Sequence, residues 1–458
     1  MKQPVPLLSD YGISPTHGFL PDVLPLTRLP DPYYNKWEAI ASNLQSLILS
    51  KRLRGVIDRL PVFSTIGLEH DAEWRRAYML LTFFSHGYIW GGDTPCDRVP
   101  PSISAPLLNI CEHLEIPPVS TYAASVLWNY KPLFIDEDID DLDNLATLVT
   151  FTGSLDESWF YLVSVAIEAR GGPIITLMLT AVAAAREGDS ATVTRCLNAF
   201  AERLDDLGEL LRRMHENCDP GFFYRRIRTG PSNAQSSLIQ FFDIILGIEH
   251  RPTGEKANHA ADSEREGRGA EPKHNFIRDM RRYMPGPHAR FLNDVGRVAN
   301  IREFVEGRRG TDKPLSIAYD ACLAMLRAFR DIHIAIVTRY IVLPSRENKA
   351  RSRSRSPVAV RSRQNLATAS RNENHKKVKG TGGTALIPFL KQARDETGEP
   401  AVEDWARRFM SRQTKVSGQN DFFLGKAEEQ VPLDEPVVEH GLAGTWSMDE
   451  DVGGICHY

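Results

Sequence analysis

The chain of 458 residues lacks the cysteine patterns that build zinc sites, covalent haem attachment sites or disulfide frameworks. Its six cysteines, at positions 96, 111, 196, 218, 322 and 456, form neither a Cys-x-x-Cys pair nor a Cys-x-x-Cys-His site. Scattered thiols of this kind are typical of the reducing cytosol. We therefore expect reduced cysteines and a cytoplasmic protein.

Long hydrophobic runs are also missing. The longest mainly apolar stretch, residues 173–185, has 13 residues, whereas a membrane-spanning helix needs about 20. The first six residues, Met1-Lys-Gln-Pro-Val-Pro, contain no apolar signal core. The sequence therefore predicts no membrane partner.

Alternating strand patterns are scarce, and helical periodicity dominates instead. Apolar residues spaced by three and four predict one amphipathic helix over residues 37–48, a second over 74–90 and a long one over 190–214. Residues 237–248 are apolar nearly all round, which predicts a helix in the centre of a bundle. The predicted fold class is all-α.

Charge is unevenly distributed along the chain. The net charge is −4, yet residues 345–379 hold eleven Lys or Arg against two acids, and residues 427–458 hold eight acids and no Lys or Arg. The mildly acidic remainder argues against nucleic acid as a partner. An RNA-associated factor, suggested by Arg351-Ser-Arg-Ser-Arg-Ser356, is disfavoured because six such residues are too few for a splicing-type domain.

The polar segments also indicate how the chain is divided. Composition predicts a surface loop at residues 251–273, a disordered basic insertion at 345–379 and a disordered acidic tail. Proline pairs at 100–101 and 117–118 should break helices. We expect a small N-terminal helical domain over residues 1–115, a larger helical domain over 116–395 and a C-terminal extension over 396–458.

One histidine, His333, lies in the middle of an apolar helical stripe. The residues that share its face by helical spacing are Cys322, Leu326, Phe329, Ile336, Val337 and Tyr340. A buried imidazole must find a partner, because an unpaired buried polar group costs a few kcal/mol. Iron would be one such partner and a backbone carbonyl another, and spacing alone leaves both open. A non-haem iron site at His113-Leu-Glu115 is a weaker alternative, because it lacks a third ligand.

A series of motifs points to one family. They occur in order along the chain as Asp10-Tyr-Gly-Ile-Ser, Tyr88-Ile-Trp-Gly-Gly, Leu114-Glu-Ile-Pro-Pro, Ser158-Trp-Phe-Tyr-Leu-Val-Ser164, Gln235-Ser-Ser-Leu-Ile-Gln, Arg278-Asp-Met-Arg-Arg-Tyr-Met-Pro285, Ala318-Tyr-Asp-Ala-Cys322, the helix of His333 and Gly380-Thr-Gly-Gly-Thr384. Together they resemble the indoleamine 2,3-dioxygenases from about residue 5 to about residue 395.

This resemblance implies a two-domain helical dioxygenase fold, in which the small domain caps a larger domain that holds haem b. The implied reaction adds O2 across the indole C2–C3 bond of L-tryptophan or a related indoleamine, to give N-formylkynurenine at the start of the kynurenine route. Ferrous haem supplies the activation of O2, so a reductant is implied as well. We expect a monomer and no side-chain acid or base in the reaction.

The resemblance also assigns residues. It implies that His333 is the proximal ligand of the haem iron and that Arg330 pairs with a haem propionate. Phe223 would lie against the indole, and Arg228 would bind the substrate carboxylate with its two-pronged guanidinium. Spacing alone does not choose Arg228 over Arg225 or Arg226. The remaining expected substrate-binding residues are Tyr122, Val126, Phe160, Ser164, Ser232, Gly380, Thr381, Gly382, Gly383 and Thr384.

Several of these residues have ordinary structural alternatives. Phe160, Tyr122 and Val126 could serve core packing, and the Ser164 hydroxyl could bond back to its own helix. Phe160 and Ser164 are one helical turn apart, which would place an aromatic wall and a hydroxyl on one face. The glycines of residues 380–384 suit a lid over the substrate and equally a plain hinge.

The chain departs from the family pattern after Arg228. Family members carry a longer connection there, with a Gly-Trp turn and a Gly-Gly-Ser run along the distal side of the haem. Here Thr229-Gly-Pro-Ser-Asn-Ala leads directly into Gln235, so Ser232 and Asn233 are all that could replace that run. Either the pocket wall is shortened or a piece of coding sequence is missing. A haem-binding or signalling protein with weak or lost catalysis is therefore the alternative function.

Overall fold

The computed structural model describes residues 3–227, 233–252, 276–347 and 386–416. Arg228, Ser232 and residues 380–384 lie outside the described residues, as do most of the loop predicted at 251–273, most of the basic insertion and the acidic tail. The predictions made for them stay predictions.

Helices account for nearly all the secondary structure of the described residues, as the sequence predicted. Two three-residue strands, β1 (Tyr130–Pro132) and β2 (Leu145–Thr147), form one antiparallel pair in which Tyr130 lies opposite Thr147. The α-helices are α1 (Asn35–Ser42), α2 (Leu44–Leu49), α3 (Leu53–Ile57), α4 (Asp71–Trp90), α5 (Pro101–Leu114), α6 (Leu155–Glu187), α7 (Ser190–Arg212), α8 (Met214–Asn217), α9 (Pro220–Arg226), α10 (Ser237–Ile245), α11 (Phe276–Asp279), α12 (Gly286–Val298), α13 (Ile301–Glu306), α14 (Lys313–Val337), α15 (Leu386–Thr397) and α16 (Asp404–Val416).

Short 3-10 and π-helical turns connect the α-helices. The 3-10 turns are Leu8–Tyr11, Pro32–Tyr34, Leu142–Asn144, Asn233–Gln235 and Met280–Tyr283. The π-turns are Ala123–Leu127 and Thr338–Val342. The first π-turn follows Tyr122 directly, and the second continues α14 five residues after His333. Such turns widen the helix and often occur near functional sites.

The long core helices begin at side-chain caps. Ser154 accepts a hydrogen bond from the Glu157 N–H at the start of α6, and Asp312 accepts one from the Leu315 N–H at the start of α14. Between α6 and α7, Gly188 adopts φ 82°, a left-handed conformation that glycine adopts without strain. Asp189 then caps α7 through the Thr192 N–H. Local sequence thus fixes where each of these helices starts.

Helix α6 is a core helix of 33 residues, and it continues through Pro173. It is the one helix among the described ranges that is long and apolar enough to cross a membrane, but 78% of its most apolar window is buried inside the fold. Gly172 lies on the side of α6 that meets the N-terminal segment, where an added Cβ would stand 2.5 Å from the His17 carbonyl carbon. Glycine at this position allows the two backbones to touch.

The core is centred on α6, α7 and α14, which pack against one another along their apolar faces. Among the described residues, one continuous cluster of buried side chains extends from Ile13 to Met410. Both predicted domains contribute to this cluster. The division between residues 115 and 116 stays a prediction.

The structure corrects three details of the sequence analysis. The helix predicted over residues 37–48 is two helices, because the chain turns at Asn43, whose side chain donates a hydrogen bond to the Ala39 carbonyl. The predicted basic insertion begins later than residue 345, because residues 343–347 are helical and Ser345 is buried. Packing continues beyond residue 395, where Ala401 and Val402 are buried and α16 contacts α14.

Candidate functional site

The predicted metal ligand, His333, lies near the C-terminal end of α14 on the apolar stripe that the sequence indicated. Leu326 and Cys322 of this stripe are fully buried. Unlike them, the His333 ring is partly accessible and faces a cavity. Within the described ranges, the imidazole ring of His333 makes no hydrogen bond to a side chain or to a backbone carbonyl. The alternative of a carbonyl-bonded histidine therefore finds no support there. Burial, followed by the nearby charge of Arg330, lowers the pKa of His333 to about 4.

The cavity holds about 930 Å³ of space between protein atoms, open solvent at its mouth included. Pockets for cofactors and ligands commonly have ~300–1,000 Å³. Apolar residues from six α-helices form most of its lining, and polar groups are few. The residues that line it are Tyr122, Ser164, Ile167, Leu211, Ala234, Ser236, Ile239, Gln240, Asp243, Ile277, Phe329, Arg330, His333, Ile334, Phe389, Leu390 and Ala393.

One side of the cavity, which we call the charged side, is lined by Arg330 and Asp243, with His250 and Glu396 behind them. Arg330 Nη2 lies 2.6 and 2.8 Å from the two carboxylate oxygens of Asp243. His250 lies between two acids, with Nε2 3.1 Å from Asp243 and Nδ1 2.8 Å from Glu396. The Arg330 guanidinium also donates to Thr397 of α15. These contacts join α14, α10 and α15 behind the cavity.

Neighbouring opposite charges favour the ionised forms on the charged side. Burial would raise the pKa of Asp243, but the charges of Arg330 and His250 outweigh it and lower that pKa. Burial would lower the pKa of His250, but Asp243 and Glu396 raise it instead. Each charge therefore depends on its partners.

The other side, which we call the hydroxyl side, is lined by Tyr122, Ser164 and Ser236, with Glu168 behind them. The Tyr122 hydroxyl donates to Glu168 Oε1 at 3.0 Å, and the Ser236 hydroxyl donates to the same oxygen at 2.6 Å. Burial raises the pKa of the Glu168 carboxyl to about 7, although these two hydrogen bonds lower it in part. Burial and the neighbouring Glu168 carboxylate raise the pKa of Tyr122 well above its ordinary value.

The structure therefore brings four predicted residues to one cavity: His333, Arg330, Tyr122 and Ser164. The Ser164 hydroxyl lies 3.5 Å from the Phe160 carbonyl of its own helix, which is the back-bonding that the sequence left open.

Three other predicted residues do not line this cavity. Phe160 and Phe223 contact each other edge to face, with ring centroids 5.0 Å apart, and Phe223 also meets Tyr340 at 5.5 Å. Val126 is buried in the first π-turn. Phe160 lies one helical turn before Ser164 on α6, and Phe223 meets it from α9. The substrate contacts predicted for these residues stay predictions.

Helix α9 ends at Arg226, before the predicted carboxylate ligand Arg228. Arg225 is exposed, and its Nε donates to the Gly221 carbonyl at 2.9 Å. Arg226 is exposed as well. Neither competing arginine lines the cavity, so the preference for Arg228 still rests on the family resemblance.

Sequence reasoning missed Glu168, Ser236 and Asp243. Two of them are acids within apolar helical stretches, and that could have singled them out, because a buried carboxylate requires a partner. Glu168 follows Ser164 by four residues on α6. Ser236 caps α10 by accepting the Ile239 N–H at 3.3 Å.

The non-haem iron alternative has no geometric support. The His113 ring stacks on Trp74 with centroids 4.0 Å apart, and Glu115 pairs with Arg290. Within the described ranges, no group of three or more His, Cys, Asp or Glu side chains could hold a metal ion. A single histidine at a large apolar cavity suits a metal whose other ligands come from a macrocycle.

An all-α fold around an apolar cavity with a single histidine, suited to a metal in a macrocycle, defines the class of protein. The chain belongs to the indoleamine 2,3-dioxygenase family. The family model described as Indoleamine 2,3-dioxygenase matches residues 7–229 and 229–400. The match divides at residue 229, next to the position where the sequence lacks the longer connection. The family is haem-dependent in general, and its known reaction is the dioxygenation of tryptophan.

Individual relatives match most of this chain and nearly all of their own length. The chain is 41% identical to an indoleamine 2,3-dioxygenase of Saccharomyces cerevisiae, over 86% of this chain and 94% of the relative. It is 37% identical to one of Aspergillus nanangensis, over 87% and 98%. A Mus musculus relative, indoleamine 2,3-dioxygenase 1, is 30% identical over 87% and 96%.

Proposed function

We propose that this protein is a haem-dependent dioxygenase that adds both atoms of O2 across the indole C2–C3 bond of L-tryptophan. The product is N-formylkynurenine. The family membership supports the reaction class. The observation that carries the proposal is the His333 imidazole, which faces a large apolar cavity without a hydrogen-bond partner among the described side chains and backbone.

The residues around this cavity fit haem b. His333 would bind the iron, and its low pKa keeps it in the neutral form that binds metals. Arg330 lies one turn earlier on α14 and would approach a propionate while it remains paired with Asp243. Ferrous haem, when bound, supplies the activation of O2 that a closed-shell indole requires.

The other residues of the cavity bind, orient and exclude water. Ile167, Leu211 and Ile239 offer apolar walls for an indole ring. Tyr122 and Ser164 add hydroxyls on one side. Arg228 and residues 380–384 are proposed from the resemblance to hold the amino-acid end and to close the site. No side chain is assigned as a general acid or base.

Related indoleamines are the nearest alternative substrates. A Fusarium equiseti relative that is 35% identical is named 6-hydroxytryptophan 2,3-dioxygenase. A ring hydroxyl changes the size and polarity of the indole but leaves its C2–C3 bond intact, so the same cavity chemistry would serve both. The alternative of a binding protein without catalysis is not favoured, because the relatives carry dioxygenase names.

The test is an isotope experiment on the purified, haem-loaded protein kept ferrous by a chemical reductant. Under 18O2, tryptophan should give N-formylkynurenine that carries two labelled oxygens. A protein that binds haem but forms no product would contradict the proposal, and a product with one labelled oxygen would contradict dioxygenation. Parallel reactions with 6-hydroxytryptophan compare the two substrates.

Three further proposals accompany this function. We propose a monomer that works with a cellular reductant in the cytoplasm. No disulfide joins the five described cysteines, at positions 96, 111, 196, 218 and 322, to one another, which supports a reducing compartment. Size-exclusion chromatography with light scattering tests the monomer, and fluorescence microscopy of the tagged protein tests its location.

A further inference from the structure

Glu168 is a buried acid that the proposed reaction does not use. It lies on α6, four residues after Ser164, and it is 1% exposed. One of its carboxylate oxygens accepts from both Tyr122 and Ser236, which lie on two other segments and line the cavity. Glu168 itself is behind the cavity wall and does not line it. It therefore acts on the cavity only through these hydroxyls.

The hydrogen bonds fix the direction of the hydroxyl protons. A hydroxyl has one proton, and an ionised carboxylate can only accept. The Tyr122 and Ser236 protons therefore point at Glu168. Ser236 uses one lone pair on the Ile239 N–H. The Ser164 hydroxyl donates to the Phe160 carbonyl of its own helix at 3.5 Å, so its proton is directed along α6.

We propose that Glu168 is a positioning residue that makes the hydroxyl side of the cavity a hydrogen-bond acceptor, so that the site prefers an indole with a free ring N–H. This inference rests on the proposed function. Tryptophan has two donor groups, the ring N–H and the ammonium. The ring N–H is the better match, because a neutral donor is far easier to bury beside apolar Ile167 and Ile239 than a charged one.

The protonation state of Glu168 should tune this preference. Tyr122 is the titratable group that contacts it, from the segment before the first π-turn. Ser236 contributes a neutral hydroxyl from α10, and Glu168 has no ion pair within the described ranges. Because burial raises the pKa of Glu168 to about 7, both of its forms exist near neutral pH. The other carboxylate oxygen, Oε2, has no hydrogen-bond partner among the described residues and is free to take the proton. Oε1 then accepts as a neutral carbonyl oxygen and holds the two hydroxyl protons less firmly.

The test compares tryptophan with the analogue in which sulfur replaces the ring N–H group. These ligands are close in size, but the analogue cannot donate from its ring. The discrimination ratio is the inhibition constant of the analogue divided by the KM of tryptophan, measured in the haem-loaded enzyme. In Glu168→Gln, a neutral amide oxygen replaces the carboxylate oxygen and accepts the two hydroxyl protons more weakly. We expect the ratio to fall on the order of tenfold, the effect of about one hydrogen bond.

Two further readouts separate this role from a structural one. In the unmodified enzyme the discrimination ratio should decrease as the pH falls through about 7, whereas in Glu168→Gln it should be independent of pH. The matched control is Glu157→Gln, which alters another buried acid of α6 that bonds Thr152 and the Phe151 N–H away from the cavity. This control should keep the normal ratio and its pH dependence.

The outcomes are distinguishable. If the unmodified enzyme forms no N-formylkynurenine, the proposed function fails. If it does, and Glu168→Gln keeps the normal ratio at every pH, the inference alone is overturned. A Glu168→Gln effect on binding of the sulfur analogue, which keeps the ammonium, with no effect on indole-3-propionate, which keeps only the ring N–H, would also overturn it. If Glu168→Gln does not fold, Tyr122→Phe removes one acceptor hydroxyl and must lower the ratio in the same direction.

Discussion

The two sides of the cavity handle burial of polar groups in opposite ways. On the charged side, Arg330, Asp243, His250 and Glu396 compensate one another, and every charge has an opposite charge within 3.1 Å. On the hydroxyl side, one acid, Glu168, has hydroxyl partners but no cation within the described ranges. The charged side is thus a fixed frame that joins three helices. The hydroxyl side can change its hydrogen bonding with a single proton.

The largest expected effect of this difference is on stability. Asp243→Asn leaves Arg330 and His250 buried without a full counter-charge, and breaking a buried pair in this way costs about 3–5 kcal/mol. Ser236→Ala, on the hydroxyl side, removes one hydrogen bond and a helix cap and should cost about 1–2 kcal/mol. Denaturant unfolding of both variants gives the two free energies. If the two variants lose the same free energy of unfolding, the charged side does not depend on its partners more than the hydroxyl side does.

The next effect concerns substrate binding. If Arg228 pairs with the substrate carboxylate in a water-poor pocket, Arg228→Ala should cost ~2–5 kcal/mol of transition-state binding. That is about 30- to several-thousand-fold in kcat/KM. Haem content should not change.

The control is Arg225→Ala, because the Arg225 side chain is exposed and its Nε donates to the Gly221 carbonyl of its own helix. This variant should lose little activity. If the two arginine variants behave alike, the substrate carboxylate is not bound by Arg228.

A pH series sharpens the contrast on the charged side. The pKa of Asp243 is lowered in the folded protein, so its stabilising contribution is present above the unfolded value of ~3.9 and is lost as the pH falls through the folded pKa. The pKa of His250 is raised, so its contribution is complete below ~6.5 and is lost as the pH rises through the folded pKa. The difference in the free energy of unfolding between the unmodified protein and Asp243→Asn should therefore become smaller at both low and high pH. A difference that is constant with pH would contradict this linkage.

The smallest effect is expected from the basic insertion. Its composition, eleven Lys or Arg among residues 345–379, offers little apolar surface to bury. Removal of residues within it should leave the haem spectrum intact and change turnover only modestly. Limited proteolysis should also cut there first. Complete loss of haem on trimming would show that the insertion supports one side of the cavity.

The sequence predicted the frame of the site better than its polar details. Regular apolar spacing indicated α4, α7 and the stripe of α14 correctly, because periodicity records which face of a helix is buried. It did not indicate the break at Asn43, where a local side-chain hydrogen bond ends the helix. It also did not indicate that α6 continues through Pro173, because neighbouring helices hold that region in place.

Within the site, His333 and Arg330 could be assigned because they share one helix and a strong family motif. Glu168, Ser236 and Asp243 could not, because their roles depend on contacts between helices that lie far apart in sequence. The hydrogen bond from Ser236 to Glu168, for example, joins residues 68 positions apart. One-dimensional spacing contains no information about such pairs.

The measurement that tests the account most directly is the ferrous–CO spectrum of His333→Ala, recorded beside that of His215→Ala. His215 is a nearby histidine whose Nδ1 already lies 3.1 Å from the Tyr340 hydroxyl, so its variant should keep a normal spectrum. His333→Ala should lose the haem Soret band, or show one that free imidazole restores. Its circular dichroism should stay helical, because the apolar core forms without the cofactor. A normal ferrous–CO spectrum in His333→Ala without imidazole would contradict the assignment of the iron ligand.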